Sequence, residues 1–361
     1  MSAPRVLIIG NFLSGHGLSR GVCEELALRL QGSGWRVLTT SSRLPRAPRL
    51  LDMLCAIWRH RNAYDVAQVD VFSGAAFRWA EAACRLLALI GRPYILTLHG
   101  GALPEFAANN GQRVSRLLTS AVAVTVPSHY LKERMRAYRQ DLILLPNAIE
   151  VSDYSRRRQS SVQPRLVWLR AFHEIYAPAV AVKVVALLKD EFPAVRMKMV
   201  GADKGDHSRR ATLELARALG VREHIDVCDP IPKTCVPEML ASGDIFLNTS
   251  RVDNTPVSVL EAMASGMCVV STNAGGLPFL LRAGEDSLLV PTDRPDLMAA
   301  AVRTLLSDQS FALQLREAGR AAAQAYDWVA ILPEWQDLLA SAARLPFSSA
   351  TTQVAKSAAV S

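Results

Sequence analysis

Long apolar runs are missing from this 361-residue chain: half of its residues are hydrophobic, yet no stretch of 18 or more is uninterrupted. A membrane-spanning helix is therefore not expected. Cysteine is sparse and unpatterned. Cys23, Cys55, Cys84, Cys228, Cys235 and Cys268 form no C-x-x-C pair and no metal-ligand spacing, so they read as buried free thiols. The apolar start, Met1 to Gly10, is too short for a secretory leader and lacks a small-residue cleavage site. The chain is expected in the cytoplasm. The dinucleotide fingerprint G-x-G-x-x-G is also absent after the first apolar run, where Gly15-His16-Gly17 leads into Leu18-Ser19-Arg20. That counts against a nicotinamide-dependent oxidoreductase.

Negative charge is scarce in one half only. Residues 1–150 hold 18 Lys and Arg against 10 Asp and Glu, whereas the remaining 23 and 23 cancel. All of the net +8 thus lies in the N-terminal half. Such a half attracts nucleic acid, anionic lipid or a phosphorylated substrate.

What is present is alternation. Short β-like runs fall at Arg5–Ile9, Arg36–Thr40, Val66–Val71, Tyr94–Leu98, 122–126 and 142–145 in the first half. They recur at 166–169, Arg196–Val200, Ile225–Cys228, Ile245–Asn248, 269–272 and Leu288–Val290 in the second. Helical patterns fill the gaps, as at 21–30, 179–191, 212–219 and Pro295–Ser307. This order predicts an α/β fold of parallel sheets covered on both faces. Length allows two such domains. The polar stretch 150–164, with Arg156, Arg157 and Arg158 in a row, reads as the linker. The expected domains are residues 1–155 and 164–325, both Rossmann-like. The Ser-, Thr- and Ala-rich stretch 346–361 reads as a disordered tail.

Ligands of open α/β sheets bind at the carboxyl ends of strands, which directs attention to residues 244–266. A strand runs to Asn248, a polar loop follows, and Thr255-Pro256 opens a helix that Gly266 ends. Thr suits the N-cap and Pro the first helical position. The free amides of that first turn and the helix dipole make an anion site, to which Ser258 adds a hydroxyl. Glu261 shares a helix face with Ser258, three residues on, and Asp253 lies just before the cap. The geometry suits a nucleotide sugar: diphosphate on the helix N-terminus, ribose hydroxyls on Glu261, a sugar hydroxyl on Asp253.

The whole string is more specific than its parts. Asp253-x7-Glu261, then Ala262-Met263-Ala264-x-Gly266, Val269-Val270-Ser271 and Gly275-Gly276, resembles the donor-site signature of glycosyltransferase family 4. The resemblance covers roughly residues 5–340 and implies the GT-B fold, two Rossmann-like domains facing across a cleft. The first would bind the acceptor and the second the nucleotide sugar. It also implies that a helix, here 326–345 from Tyr326-Asp327-Trp328 on, returns to the N-terminal domain. The family usually has Glu at both acidic positions; Asp253 keeps the charge and shortens the reach. Gly15 and Gly17 correspond to a glycine-rich donor loop after the first strand. His99, in Thr97-Leu98-His99-Gly100-Gly101, corresponds to a histidine near the reacting sugar, and His16 is a second candidate. Arg170 corresponds to the arginine that holds the donor diphosphate. The lysine usual five residues later is replaced by Ile175, and Lys204 is the candidate substitute.

By this resemblance the reaction moves a sugar from a nucleoside-diphosphate sugar to a glycan, lipid-linked or small-molecule acceptor, with retention. His99, Arg170, Asp253 and Glu261 would act at the reacting centre. Gly15, Gly17, Lys204, Asn254, Thr255, Pro256, Val257 and Ser258 would hold the donor. No cofactor is expected, and no metal, since there is no Asp-x-Asp pair of the metal-dependent type. Nucleic acid is disfavoured, because aromatics are not interleaved with the basic residues. The segment 44–61, with Arg46, Arg49, Arg59 and Arg61 around Leu50, Leu51, Met53, Leu54, Ile57 and Trp58, has two readings. Either it lies on an anionic membrane, at the inner face, or it is a core-facing helix with solvated ends. Two alternatives to the transferase stand beside it: a sugar-nucleotide-binding protein of the same fold without turnover, and a nucleotide-sugar epimerase.

Overall fold

The computed structural model describes residues 4–16, 20–155 and 161–345. Gly17, Arg156–Arg158 and the tail 346–361 lie outside the described residues. The chain divides into two compact units, residues 1–147 with 329–361, and residues 148–328.

Among the described residues, each unit holds a six-stranded parallel sheet. The first comprises β1 (Arg5–Ile9), β2 (Arg36–Thr40), β3 (Val66–Val71), β4 (Tyr94–Leu98), β5 (Ala123–Val126) and β6 (Ile143–Leu144), in the order β2-β1-β3-β4-β5-β6. The second comprises β7 (Arg165–Leu169), β8 (Arg196–Val200), β9 (Ile225–Cys228), β10 (Ile245–Asn248), β11 (Cys268–Thr272) and β12 (Leu288–Val290), in the order β12-β11-β10-β7-β8-β9. Inner strands are buried on both faces, as parallel sheets require: β4, β5, β10 and β11 are buried at every residue. In each sheet the order reverses beside the first strand of the unit. That is where the carboxyl ends splay and leave room for ligand.

Two local outcomes differ from expectation. The helix after β10 starts one residue later than its cap chemistry suggested: Pro256 is the N-cap and the helix is Val257–Ala264. Helix ends fray over a residue or two, and proline's fixed φ serves either position. Residues 148–155, grouped with the first domain or its linker, belong to the second unit. Ile149, Val151 and Tyr154 are buried in its core, because the main chain pairs Ile149 N with Tyr326 O (2.9 Å) and Trp328 N with Ile149 O (3.0 Å). The last helix, Trp328–Arg344, carries Pro333 inside it. From Val329 on it groups with the first unit, where Gln336 donates to Ser33 Oγ at 2.8 Å.

Helix Arg46–Arg59 combines features of both readings of 44–61. Arg49, Met53 and Ile57 face the core. Arg49 is not a flanking charge: it is buried, donates to Arg43 O and Leu44 O (2.6 Å each) and to Asn11 Oδ1 (2.9 Å), and stacks over Trp79. Burial, with Arg46 nearby, pulls its pKa below the ordinary value. The other face exposes Leu51 and Trp58, and Leu44, just before the helix, is exposed as well. Among the described residues no helix is long and apolar enough to cross a membrane.

Glycine marks where loops touch. A Cβ on Gly201, at the end of β8, would lie inside the carbonyl of Arg170 at the end of β7, and backbone cannot yield as a side chain can. Gly201→Ala should therefore displace the Arg170 loop and destabilise the second unit by about 1–3 kcal/mol. Thermal unfolding of the variant checks this; an unchanged melting temperature would contradict the packing described.

Candidate functional site

The second unit concentrates polar groups at the carboxyl ends of β7, β8, β10 and β11. Asn248, Thr249 and Ser250 continue β10 and are fully buried. Each is therefore hydrogen-bonded: Asn248 donates to Ser271 Oγ (2.9 Å), Thr249 to Tyr176 O (2.6 Å) and Ser250 to Asn248 Oδ1 (2.9 Å). Trp168 Nε1 donates to Thr249 Oγ1 at 2.9 Å, and Thr272 Oγ1 to Ser250 O at 2.6 Å. The loop that follows is thereby anchored before it reaches Asp253.

Gly275 and Gly276 hold that loop from the other side. Gly276 N donates to Asp253 O at 2.9 Å. A Cβ on either glycine would collide with the backbone of Asp253 or Asn254, and Gly275 has φ +58°, where a side chain is strained. The Gly-Gly pair is thus a steric need of the loop carrying Asp253, Asn254 and Thr255, the last two buried.

Helix Val257–Ala264 is buried from Ser258 to Ala264. Ser258 Oγ, in its first turn, is buried and has no hydrogen-bond partner among the described residues. Across from the helix, Arg170 follows β7. Its guanidinium pairs with the Asp253 carboxylate and stacks on the Tyr176 ring, 4.6 Å from the centroid. Burial works against its charge, but Asp253, with Tyr176 and Glu261 behind it, holds its pKa above the ordinary arginine value. Its Nε is also buried, with no partner among the described residues. Ile175 is half-buried in the short 3-10 turn Glu174–Tyr176, and its carbonyl accepts from Arg251 N at 2.8 Å. Lys204 is exposed on the loop after β8, one strand over from Arg170. Its amide donates to Phe172 O at 3.2 Å.

Glu261 carries a carboxylate only 3 % exposed. Such a charge needs partners, and two meet its Oε1: the Tyr154 hydroxyl at 2.8 Å and the Lys233 ammonium. Neither was singled out in the sequence. Tyr154 sits in what read as polar linker, and Lys233 in a short 3-10 turn, Lys233–Cys235, after β9. Their only sequence signal is an aromatic in a polar stretch and a lysine after a strand. Arg320 Nη1 and Nη2 donate to Tyr154 O (3.2 and 3.1 Å), and Nη1 also reaches Ala264 O. Arg316 donates to Gly266 O at 2.8 Å. The two arginines satisfy carbonyls at the helix C-terminus, where cations are favoured.

The first unit has its own polar focus. The loop after β1 is tied down by Gly10 N to Thr40 O (2.8 Å), Phe12 N to Ser41 O (3.0 Å) and Ser14 N to Glu24 Oε1 (3.0 Å). Gly15 lies in the exposed 3-10 turn Ser14–His16, with open space where a Cβ would be. His16 Nε2 meets Ser42 O at 2.8 Å. His99, after β4, is buried. Its Nε2 lies 2.9 Å from Asp70 Oδ1 and its ring stacks on Phe72. The structure therefore brings Arg170, Asp253, Ser258 and Glu261 together at one set of strand ends. It places His99 and Gly15 at the strand ends of the other unit.

Comparison with known proteins assigns the same architecture. Over 94 % of this chain and all of the other, the fold matches Anabaena HepE in complex with UDP and glucose, with a TM-score of 0.75 at 16 % identity. Over 93 % and 98 % it matches sucrose-phosphate synthase from Thermosynechococcus elongatus, with a TM-score of 0.73 at 17 % identity. Both are GT-B structures. In sequence the chain is 30 % identical over 164 residues to the D-inositol 3-phosphate glycosyltransferase of Corynebacterium glutamicum, covering 45 % of this chain and 39 % of that protein. It is 26 % identical over 250 residues to the phosphatidyl-myo-inositol mannosyltransferase of Mycobacterium tuberculosis, covering 65 % and 64 %. The chain thus spans less than two thirds of the length of these curated relatives. Residues 18–153 match the model for Glycosyltransferase Family 4, and residues 163–308 the model for Glycosyl transferases group 1. With one model on either unit, the chain belongs to the family 4, group 1 glycosyltransferases.

Proposed function

We propose that the chain transfers a sugar from a nucleoside-diphosphate sugar to an acceptor hydroxyl, with the anomeric configuration retained. The observation that carries this reading is the pair of orphaned buried polar atoms, Ser258 Oγ and Arg170 Nε, beside the amides of a helix N-terminus. Buried polar groups without partners are rare in folded proteins, and a diphosphate would satisfy both. In this reading Asn254, Thr255, Pro256, Val257 and Ser258 line the diphosphate. Lys204, on the loop next to that of Arg170, is its second cation. Glu261 Oε1 is already occupied, so Oε2 accepts from the ribose hydroxyls.

Arg170 rests on Asp253 in the free chain. Arrival of the diphosphate gives the guanidinium a stronger bidentate partner and frees Asp253 for a sugar hydroxyl. Chemistry then follows charge. The bond from the anomeric carbon to the diphosphate oxygen breaks, the acceptor oxygen bonds to that carbon, and the acceptor proton passes to the departing phosphate. Arg170, Lys204 and the helix amides stabilise the charge that develops on the diphosphate. The family resemblance supports a role for His99 at the reacting sugar. Two carboxylates in the manner of a retaining glycosidase are not needed, nor is a metal.

The acceptors named for the relatives, an inositol phosphate and a phosphatidyl-inositol, support a polyol or lipid-linked acceptor here. The exposed stripe Leu44, Leu51 and Trp58 with Arg46, Arg59 and Arg61 supports peripheral contact with an anionic membrane.

Two outcomes test the reading. Glu261→Gln and Ser258→Ala should each weaken nucleoside-diphosphate affinity roughly 10- to 100-fold, the size of a hydrogen bond to a charged partner. Isothermal titration with UDP, GDP and ADP measures this, and turnover should persist in EDTA. Wild type that binds a nucleoside-diphosphate sugar yet never releases the diphosphate, whatever the acceptor, would favour the non-catalytic binding protein instead. Separately, Trp58→Glu and Leu51→Glu should abolish sedimentation with phosphatidylglycerol vesicles without lowering the melting temperature. Retained sedimentation would remove the membrane contact from the account.

A further inference from the structure

The carboxyl-terminal end of β3 holds a carboxylate, Asp70, that the transferase reading does not use. Asp70 is almost fully buried, its side chain 6 % exposed. Its Oδ1 accepts from Gln68 Nε2 and from His99 Nε2, both at 2.9 Å. Gln68 is itself fixed: the same Nε2 donates to Thr97 Oγ1 at 2.8 Å, and Thr97 Oγ1 accepts from Thr125 Oγ1 at 3.1 Å. The cradle is built around Asp70. A Cβ on Gly10 would come within 2.7 Å of both Asp70 Oδ2 and Cys23 Sγ, so only glycine at the end of β1 leaves the space. Burial alone would raise the Asp70 pKa. The His99 charge and the hydrogen bonds from His99, Gln68 and Cys23 outweigh it and hold the group below the usual carboxylate range.

The imidazole is held at one nitrogen and along one face. Phe72 lies against its face, 4.9 Å between ring centroids and 19° from parallel. The His99 amide is anchored to Val71 O at 2.9 Å. An ionised carboxylate is an acceptor only, so Nε2 must carry the proton in their hydrogen bond. In the neutral ring the other nitrogen then carries a lone pair and no proton. Among the described residues Nδ1 has no hydrogen-bond partner.

We propose that Asp70 is the positioning residue for His99: it fixes the Nε2–H tautomer of the neutral ring and presents Nδ1 as an acceptor for a sugar hydroxyl. The role rests on the reading of His99 as a residue that meets the sugar. Asp70 itself touches no substrate. Gln68, Gly10 and Phe72 complete the mount, and the sequence feature that marks it is a polar pair, Gln68 and Asp70, at alternate positions of an otherwise apolar strand.

Proton–nitrogen NMR on histidine-labelled full-length chain at mildly alkaline pH reads the tautomer directly, with His99 assigned by its loss in His99→Gln. The expected spectrum shows a protonated Nε2 and a bare Nδ1. In Asp70→Ala the ring should populate both tautomers. The kcat should fall about 100-fold, the scale of one misplaced catalytic donor or acceptor, with the nucleoside-diphosphate Kd unchanged. Asp70→Asn, which keeps an acceptor oxygen, should recover part of the loss. A merely structural role would move the melting temperature and not this split. A protonated Nδ1 in wild type, or undiminished kcat in a folded Asp70→Ala, overturns the proposal. Full turnover in His99→Gln would instead sink the placement of His99 at the sugar, while the wild-type NMR signals would still report whether Asp70 holds Nε2–H.

Discussion

The second unit of this protein depends on the burial of one carboxylate. Glu261 sits on a helix whose other residues from Ser258 to Ala264 are also buried, and an isolated carboxylate there would cost several kcal/mol. Tyr154 and Lys233 remove that penalty by converging on one oxygen. Much of the surrounding architecture serves this convergence. Residues 148–155 cross into the second unit to deliver Tyr154, and Arg320 holds the Tyr154 carbonyl while satisfying the end of the Glu261 helix. The turn after β9 brings Lys233. Among the described residues the second oxygen meets no protein partner.

A second cation–carboxylate pair, Arg170 with Asp253, lies at the same strand ends. The two pairs neutralise the site before any ligand arrives, which limits the cost of holding four ionised groups at small separation. They also rationalise how this chain departs from the usual family pattern. Aspartate in place of glutamate at 253 still meets Arg170, because Gly275 and Gly276 draw the loop in against their own backbone. Ile175 contributes its carbonyl to Arg251 and leaves the arginine with an aromatic neighbour, Tyr176, in place of a second cation.

Much of the fold was legible because alternation is a local signal. β1, β2, β3, β4, β8, β9, β10 and β12 have the bounds that their apolar runs suggested; β5, β7 and β11 differ by one residue at one end, and β6 is one residue shorter at each end. The succession of a strand, a polar loop and a helix over residues 245–264 was legible too. What escaped is what tertiary structure assembles. Tyr154 is 107 residues from Glu261 and looked like part of a linker, because the polar residues around it outweigh one aromatic. Lys233 is an ordinary lysine until the strand order places β9 within reach of Glu261. Asp70 and Gln68 resemble the solvent-facing positions of an edge strand, yet β3 lies between β1 and β4, and both side chains are buried. Arg49 misled in the opposite direction, since a long side chain can bury its stem and still find acceptors for its head.

The central claim is that Ser258, Arg170 and Glu261 together form a nucleoside-diphosphate site. The most direct measurement is a crystal structure of the chain with a bound nucleoside diphosphate. The account predicts phosphate oxygens within hydrogen-bond distance of Ser258 Oγ and the Arg170 guanidinium, and ribose hydroxyls on the free oxygen of Glu261, with Tyr154 and Lys233 still on the other. A nucleotide bound elsewhere in the chain, with Ser258 Oγ and Arg170 Nε still unpartnered, would contradict it.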